Sequence, residues 1–228
     1  MSTAFALSGW PAALVVIVLL ARARRRLELV AQAEHELRGP LAAIALGVEA
    51  LGRGREAGRQ RAATSASLEA QLDRVRAGLA DLGAARRGRR ADRSPEAVAL
   101  EPAVRAASGG FGLLAARAGG TVRIDWRAGA AIVSTDRCRL AQALGNVLAN
   151  AVEHGGGDVR LRGLPVAGGV RIEIEDRGPG FHARAPAEGR GRGLAIAARA
   201  VEDAGGALSV STRERGATVA LELPLAER

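Results

Sequence analysis

Two stretches of this chain carry apolar residues at coiled-coil spacing, and any fold it adopts must bury two helical stripes. Leu27, Val30, Leu37, Leu41, Ile44, Val48 and Leu51, with Glu34 filling one gap, follow at intervals of 3, 4, 3, 4, 3, 4 and 3. Gly52 and Gly54 end this seam. Leu68, Leu72, Val75, Leu79 and Leu82 repeat the pattern at 4, 3, 4 and 3, closed by Gly83 and Gly88. Heptads of this kind read as amphipathic helices. The Gly/Arg-rich residues between them, about ten, read as the turn of an antiparallel hairpin. One neighbour does not cover either stripe fully. The expected solution is a homodimer whose two hairpins form a four-helix bundle.

His35 follows the seam position Glu34 by one residue, so it sits about 100° round the helix from it. Its imidazole is expected to project outward from the bundle. Glu36 comes next, and Gly39-Pro40 follows one turn later, where proline removes a backbone bond and bends a helix.

Upstream, Ala4 to Ala21 is apolar apart from Ser8 and carries no charge. As a helix it would span about 27 Å, close to the ~30 Å hydrocarbon core of a bilayer. Arg22, Arg24, Arg25 and Arg26 follow it, and no positive side chain precedes it. A secretory signal has the opposite order. The segment therefore reads as a single-pass transmembrane anchor in the cell (inner) membrane, with the N-terminus outside and the remainder cytoplasmic. With no extracellular domain expected, a signal would arrive through this segment or from a partner membrane sensor protein.

Composition removes other classes. All 33 basic side chains are arginine, against 24 acidic ones, for a net charge of +9. The arginines are interspersed with acids, and two Trp, three Phe and no Tyr offer little for bases to stack on. Nucleic acid is not an expected partner. Cys138 is the single cysteine, which excludes an intramolecular disulfide and a Cys-rich zinc site.

Ser94-Pro95 breaks the helical pattern and marks a boundary. The expected organisation is an anchor at 1–21, the hairpin with an arginine-rich linker at 22–93, and a further domain at 94–228. In that domain Pro102 to Ala118, Asp136 to His154 and Gly193 to Ala204 read as helices. Thr121 to Trp126, Asp158 to Leu164, Val170 to Asp176, Ala207 to Thr212 and Ala217 to Leu225 read as strands. This interleaving predicts an α+β sandwich, one helical layer over a mixed sheet.

The chain's two asparagines, Asn146 and Asn150, fall one turn apart on one helix face. Asparagine is a mediocre helix former, so a pair in a helix interior suggests shared polar work. After the Val170–Glu175 alternation comes Asp176-Arg177-Gly178-Pro179-Gly180, an acid at a strand end before glycines that let backbone turn closely round a ligand. Gly189-Arg190-Gly191-Arg192-Gly193-Leu194 then leads into a helix, and glycines before a helix N-terminus expose amide donors suited to phosphate.

Two motif sets in this order carry a resemblance. His35-Glu36-Leu37-Arg38-Gly39-Pro40-Leu41 resembles the phosphoacceptor box of sensor histidine kinases. Leu144 to His154, with the two glycine elements, resembles the GHKL (Bergerat-type) ATP-binding domain those kinases share with a wider ATPase superfamily. The resemblance covers about residues 27 to 225. It implies that His35 is phosphorylated from ATP and that Glu36 deprotonates or orients its imidazole. It implies that Asn150 ligates Mg2+ while Asn146 contacts phosphate and His154 approaches it. Asp176 would accept the adenine amino hydrogen bond, with Gly178 and Gly180 shaping the pocket. Gly189, Gly191, Gly193 and Leu194 would cradle the phosphates. The phosphoryl group would pass on to an aspartate of a cognate response regulator.

This chain departs from the family's pattern at three points. Gly39 stands where Thr or Asn is usual, which bears on phosphatase activity. Glu153 replaces a usually basic residue. Only Phe181 to Glu188 separate the glycine elements, a short lid over the nucleotide. The alternative these departures raise is a degenerate nucleotide-binding dimer acting as scaffold or phosphotransfer relay.

Overall fold

The computed structural model describes residues 39–49, 51–52, 58–86, 94–178, 192–213 and 215–226. All belong to one compact unit, Glu36–Arg228. The proposed anchor Ala4–Ala21, His35 and Glu36, Gly180, Gly189, Gly191 and the lid Phe181–Glu188 lie outside the described residues. Among the described residues no helix is long and apolar enough to cross a membrane.

Residues 39–49 and 51–52 are helical (α1), and α2 runs over Gly58–Arg86. Then follow β1 (Glu96–Ala99), α3 (Leu100–Arg117), β2 (Val122–Trp126), β3 (Ile132–Thr135), α4 (Arg137–His154), β4 (Val159–Val166), β5 (Gly169–Asp176), α5 (Arg192–Asp203), β6 (Ala207–Thr212) and β7 (Ala217–Pro224). The main sheet has five strands in the order β2-β4-β5-β7-β6, parallel only between β2 and β4. This is the mixed sheet of an α+β sandwich.

Alternation along the strands sets which face is buried. On β5, Val170, Ile172 and Ile174 are buried. They meet Leu161 of β4, Leu221 of β7, Phe111 of α3 and Leu144 and Leu148 of α4 in one core. Arg171, Glu173 and Glu175 take the other face. There Arg162 pairs with both glutamates, and Arg171 pairs with Glu173 and Glu222. Arginines and acids thus interleave as ion pairs on the outer sheet face.

Asp136 caps α4. Its backbone is extended (φ −74°, ψ 118°) and its Oδ1 accepts the Arg139 amide at 3.1 Å, which satisfies one of the helix's orphan donors. The sequence reading omitted β1 and β3. These short strands form a separate antiparallel pair that buries Val98 and Val133. Helix α2 starts at Gly58, ten residues before the first seam leucine, Leu68.

The face that α2 turns toward the sandwich is not its leucine seam. Ser67, Gln71, Arg74 and Gly78 are buried, at the same 4, 3, 4 spacing but one residue earlier. Asp81 continues the row. Meanwhile Leu72 and Leu79 of the seam remain 44% and 53% exposed, as do Leu41 and Val48 of α1 at 55% and 57%. The polar row packs on α3 and α4, with Gln71 Nε2 donating to the Ala107 carbonyl at 3.4 Å.

Candidate active site

Helix α4 carries Asn146, Asn150 and His154 along one side at successive intervals of four residues. The N-terminus of α5 comes up against this row. Asn146 Nδ2 donates to the Gly193 carbonyl at 3.3 Å, and a Cβ built on Gly193 would stand 3.7 Å from Asn146 Cβ and 3.9 Å from Asn150 Nδ2. The first amides of a helix lack intrahelical acceptors and carry the positive end of its dipole. Two amide side chains beside such a terminus make a setting suited to anionic oxygens. Asn150 is half-buried, whereas Asn146 is only 5% exposed. The Asn146 Oδ1 also accepts a hydrogen bond at 2.9 Å from Arg74 Nη2, on α2.

Asp176 ends β5 beside the other end of α4. Its Oδ1 accepts the amides of Gly178 at 2.9 Å and Ala217 at 3.3 Å. Two backbone donors fix the carboxylate and leave Oδ2 with no hydrogen bond among the described residues. That oxygen suits an exocyclic amine. Glycines make the close packing possible. A Cβ on Gly155, just past α4, would lie 2.3 Å from Asp176 Cβ, and one on Gly178 would lie 2.4 Å from the His154 carbonyl oxygen. Gly216 has φ +93°, and a Cβ there would sit 1.9 Å from the Asp176 carbonyl oxygen. Any other residue meets both strain and a clash at that position.

The structure therefore brings together Asn146, Asn150 and Gly193 at one end and His154, Gly178 and Asp176 at the other. Leu194 is half-buried and packs against the core. Glu153 is exposed at the end of α4. Among the described residues no cluster of His, Cys, Asp and Glu is arranged to hold a metal ion. A cavity of about 640 Å³ opens on the outer sheet face, lined by Arg123, Asp125, Arg160 and Glu175 and reached at one edge by Asp176, with no residue of α4 or α5. It is distinct from the asparagine row.

Sequence reasoning missed the tie from α2. Arg74 lies in a polar row that an apolar periodicity search passes over. It also missed Gly155 and Gly216, ordinary among 30 glycines until Asp176 is seen between them. The signal for Gly216 was its place directly before the last strand, which pairs with β5.

Residues 135–227 match the family described as histidine kinase-, DNA gyrase B- and HSP90-like ATPase. The matched stretch runs from the end of β3 through β7 and so takes in α4, Asp176 and α5. The C4-dicarboxylate transport sensor protein DctB of Rhizobium meliloti (strain 1021) is 36% identical over 103 aligned positions, covering 39% of this chain and 17% of the relative. Full-length ShkA, solved in complex with AMPPNP, is 28% identical with a TM-score of 0.57, over 88% of this chain and 46% of that one. The catalytic domain of histidine kinase ThkA shares the fold, with a TM-score of 0.52 at 22% identity over 58% of this chain and 96% of that one. The chain is thus similar to part of a sensor protein, and the likeness to ThkA shows the fold. The chain spans about a sixth of the length of DctB and under half that of ShkA.

Proposed function

We propose that this chain is the kinase core of a membrane-anchored sensor histidine kinase, an ATP:protein-histidine phosphotransferase. The observation that carries the reading is the convergence on α4 of Asn150, the first turn of α5 and the Asp176 carboxylate. The ATPase family match and the AMPPNP-bound relative support ATP as the ligand. In this reading the adenine amino group donates to Asp176 Oδ2, and the α5 amides and Asn146 take the phosphates. Magnesium entering with the nucleotide would offset phosphate charge, and Asn150 is the residue to hold it.

The chain's own residues then perform the transfer. A ring nitrogen of His35 attacks the terminal phosphorus as the bond to the ADP oxygen breaks. Glu36 accepts or orients the proton on the other ring nitrogen. In-line placement and charge compensation contribute most of the acceleration in such transfers. The phosphoryl group next moves to an aspartate of a cognate response regulator. The apolar seam left exposed on α1 and α2 supports a homodimer. The run Ala4–Ala21 followed by four arginines supports an inner-membrane anchor, with the signal entering there or from a partner membrane sensor protein.

The test is incubation of the full chain in detergent with γ-labelled ATP. Acid-labile, alkali-stable label is expected, and it should vanish in His35→Gln. Label surviving that substitution would overturn the assignment. Failure to bind Mg-ATP at millimolar nucleotide would favour the scaffold or relay alternative.

A further inference from the structure

The guanidinium of Arg74 is held in a socket built from three other helices. Its side chain is buried, and Nη2 donates to Asn146 Oδ1 on α4 at 2.9 Å. The Phe111 ring of α3 lies beneath it, 5.7 Å from Cζ to the ring centroid, a cation–π distance. Its stem crosses α4 at Gly145, where a Cβ would stand 2.5 Å from Arg74 Cδ and 2.7 Å from Nε. On α1, a Cβ on Gly39 would stand 3.6 Å from Nη1. Gly145 is thus what admits an arginine here, while Gly39 on α1 lies at ordinary contact distance from it.

The chemistry of the two partners fixes the Asn146 amide. Arginine only donates, so it selects the amide oxygen. The Gly193 carbonyl only accepts, so it selects the amide nitrogen. Both neighbours demand one orientation. The oxygen is committed to α2, and the nitrogen faces the N-terminus of α5. Its bond to Gly193 is long, at 3.3 Å, and an amide nitrogen has a second proton to donate. Turned the other way, Asn146 would present an oxygen to a site that must receive negative charge.

We infer that Arg74 is a positioning residue that locks Asn146 as a hydrogen-bond donor toward the phosphates of the nucleotide, so that the hairpin helix α2 completes the phosphate end of the ATP site. The inference rests on the nucleotide reading of that site. Asn146 is thereby a phosphate donor and not a metal ligand, which leaves the metal to Asn150. Because Arg74 comes from the hairpin, docking of α2 and phosphate binding are linked, and each strengthens the other by the same factor.

The experiment measures binding of Mg-AMPPNP and of adenosine to the full chain in detergent, for wild type, Arg74→Met, Arg74→Lys, Asn146→Ala and the Arg74→Met/Asn146→Ala double variant. Methionine keeps an unbranched stem in the Gly145 groove and removes the donors. Arg74→Met is expected to weaken AMPPNP about tenfold, the scale of one charge-assisted bond, and to leave adenosine unchanged. Lysine, which can still donate to Oδ1, should recover part of the loss. The double variant should bind AMPPNP no more weakly than Asn146→Ala alone. Equal losses for both ligands would mark a general packing role and overturn the inference, as would additive losses in the double variant. Undiminished AMPPNP binding by Arg74→Met would overturn it while leaving the nucleotide site standing. No binding of either ligand by wild type would bring down the site reading and this inference with it.

Discussion

Arg139, in the first turn of α4, holds Asp81 of α2 with both terminal guanidinium nitrogens, Nη1 to Oδ2 and Nη2 to Oδ1. Gln142 joins them, accepting from Arg139 at 2.9 Å and donating to Asp81 at 3.2 Å. The hydrogen bond to Asp81 raises the Arg139 pKa above its ordinary value, so this cation stays charged at any working pH. Arg139 is 14% exposed and Asp81 34%, which places the pair between a surface bridge and a buried one. Asp81→Ala strands an arginine and a buried glutamine. It is expected to cost about 2 kcal/mol, read as a lower denaturant midpoint of the full chain. Asp81→Asn, which keeps one acceptor, should cost less.

Around Asp176 the expected effect falls on binding rather than on the fold. Gly155→Ala would push a methyl to 2.3 Å from Asp176 Cβ and 2.2 Å from the Ala151 carbonyl oxygen. Overpacking of this kind costs about 1–3 kcal/mol. Asp176 sits at a strand end, where it yields more easily than the β4–β5–β7 ladder. Adenosine and AMPPNP affinity should both drop at least about tenfold, while circular dichroism stays that of the wild type. Unchanged adenosine affinity would show that Asp176 is not the adenine contact.

The parts legible in the sequence are those where one residue decides its own conformation. The helix read from Asp136 starts there because the Asp136 side chain caps it by local chemistry. The Val170–Glu175 alternation sets the two faces of β5, because side chains in a strand must alternate. Asn146 and Asn150 stood out because asparagine needs a reason to be inside a helix. The parts missed depend on partners distant in sequence. β1 has one buried apolar residue, Val98, and is a strand only because β3 pairs with it. The row Ser67, Gln71, Arg74, Gly78 resembles a solvated face until Gly109, Gly110 and Gly145 supply the space it enters. A Cβ on Gly109 would stand 2.9 Å from Ser67 Oγ, and one on Gly110 3.2 Å from Gln71 Nε2. Apolar periodicity located both hairpin helices and could not tell which side of α2 docks on the sandwich.

Cys138 gives a pH-dependent probe of that docked face. It lies in the first turn of α4, and burial pushes its thiol pKa up, with the nearby Asp73 and Asp136 charges adding to the effect. The thiolate is the reactive form. At pH 8 a maleimide should modify the folded chain more slowly than the urea-unfolded chain, and the gap should narrow as pH rises. A raised folded pKa contributes stability that is complete below the ordinary thiol pKa and is lost as pH climbs through the folded one. Cys138→Ser should therefore flatten the fall in stability on the alkaline side. Equal modification rates in the folded and unfolded chains would contradict the burial.

The exposed seam yields the sharpest test of assembly. Helix α2 has a polar row and a leucine seam one residue apart, and it is the polar Ser67–Asp81 row that packs on the sandwich. Leu72 and Leu79 of the seam are left 44% and 53% exposed, as are Leu41 and Val48 of α1 at 55% and 57%. An apolar stripe spread over two adjacent helices is what a second copy of the hairpin would cover. Leu72→Glu with Leu79→Glu puts two charges into that surface at positions the sandwich leaves exposed. The doubly substituted chain should therefore keep its thermal midpoint within a few degrees and keep its AMPPNP affinity. In detergent, analytical ultracentrifugation should show the wild-type dimer replaced by monomer. If the substituted chain stays dimeric, the leucine seam is not the dimer interface and the four-helix bundle is the wrong assembly.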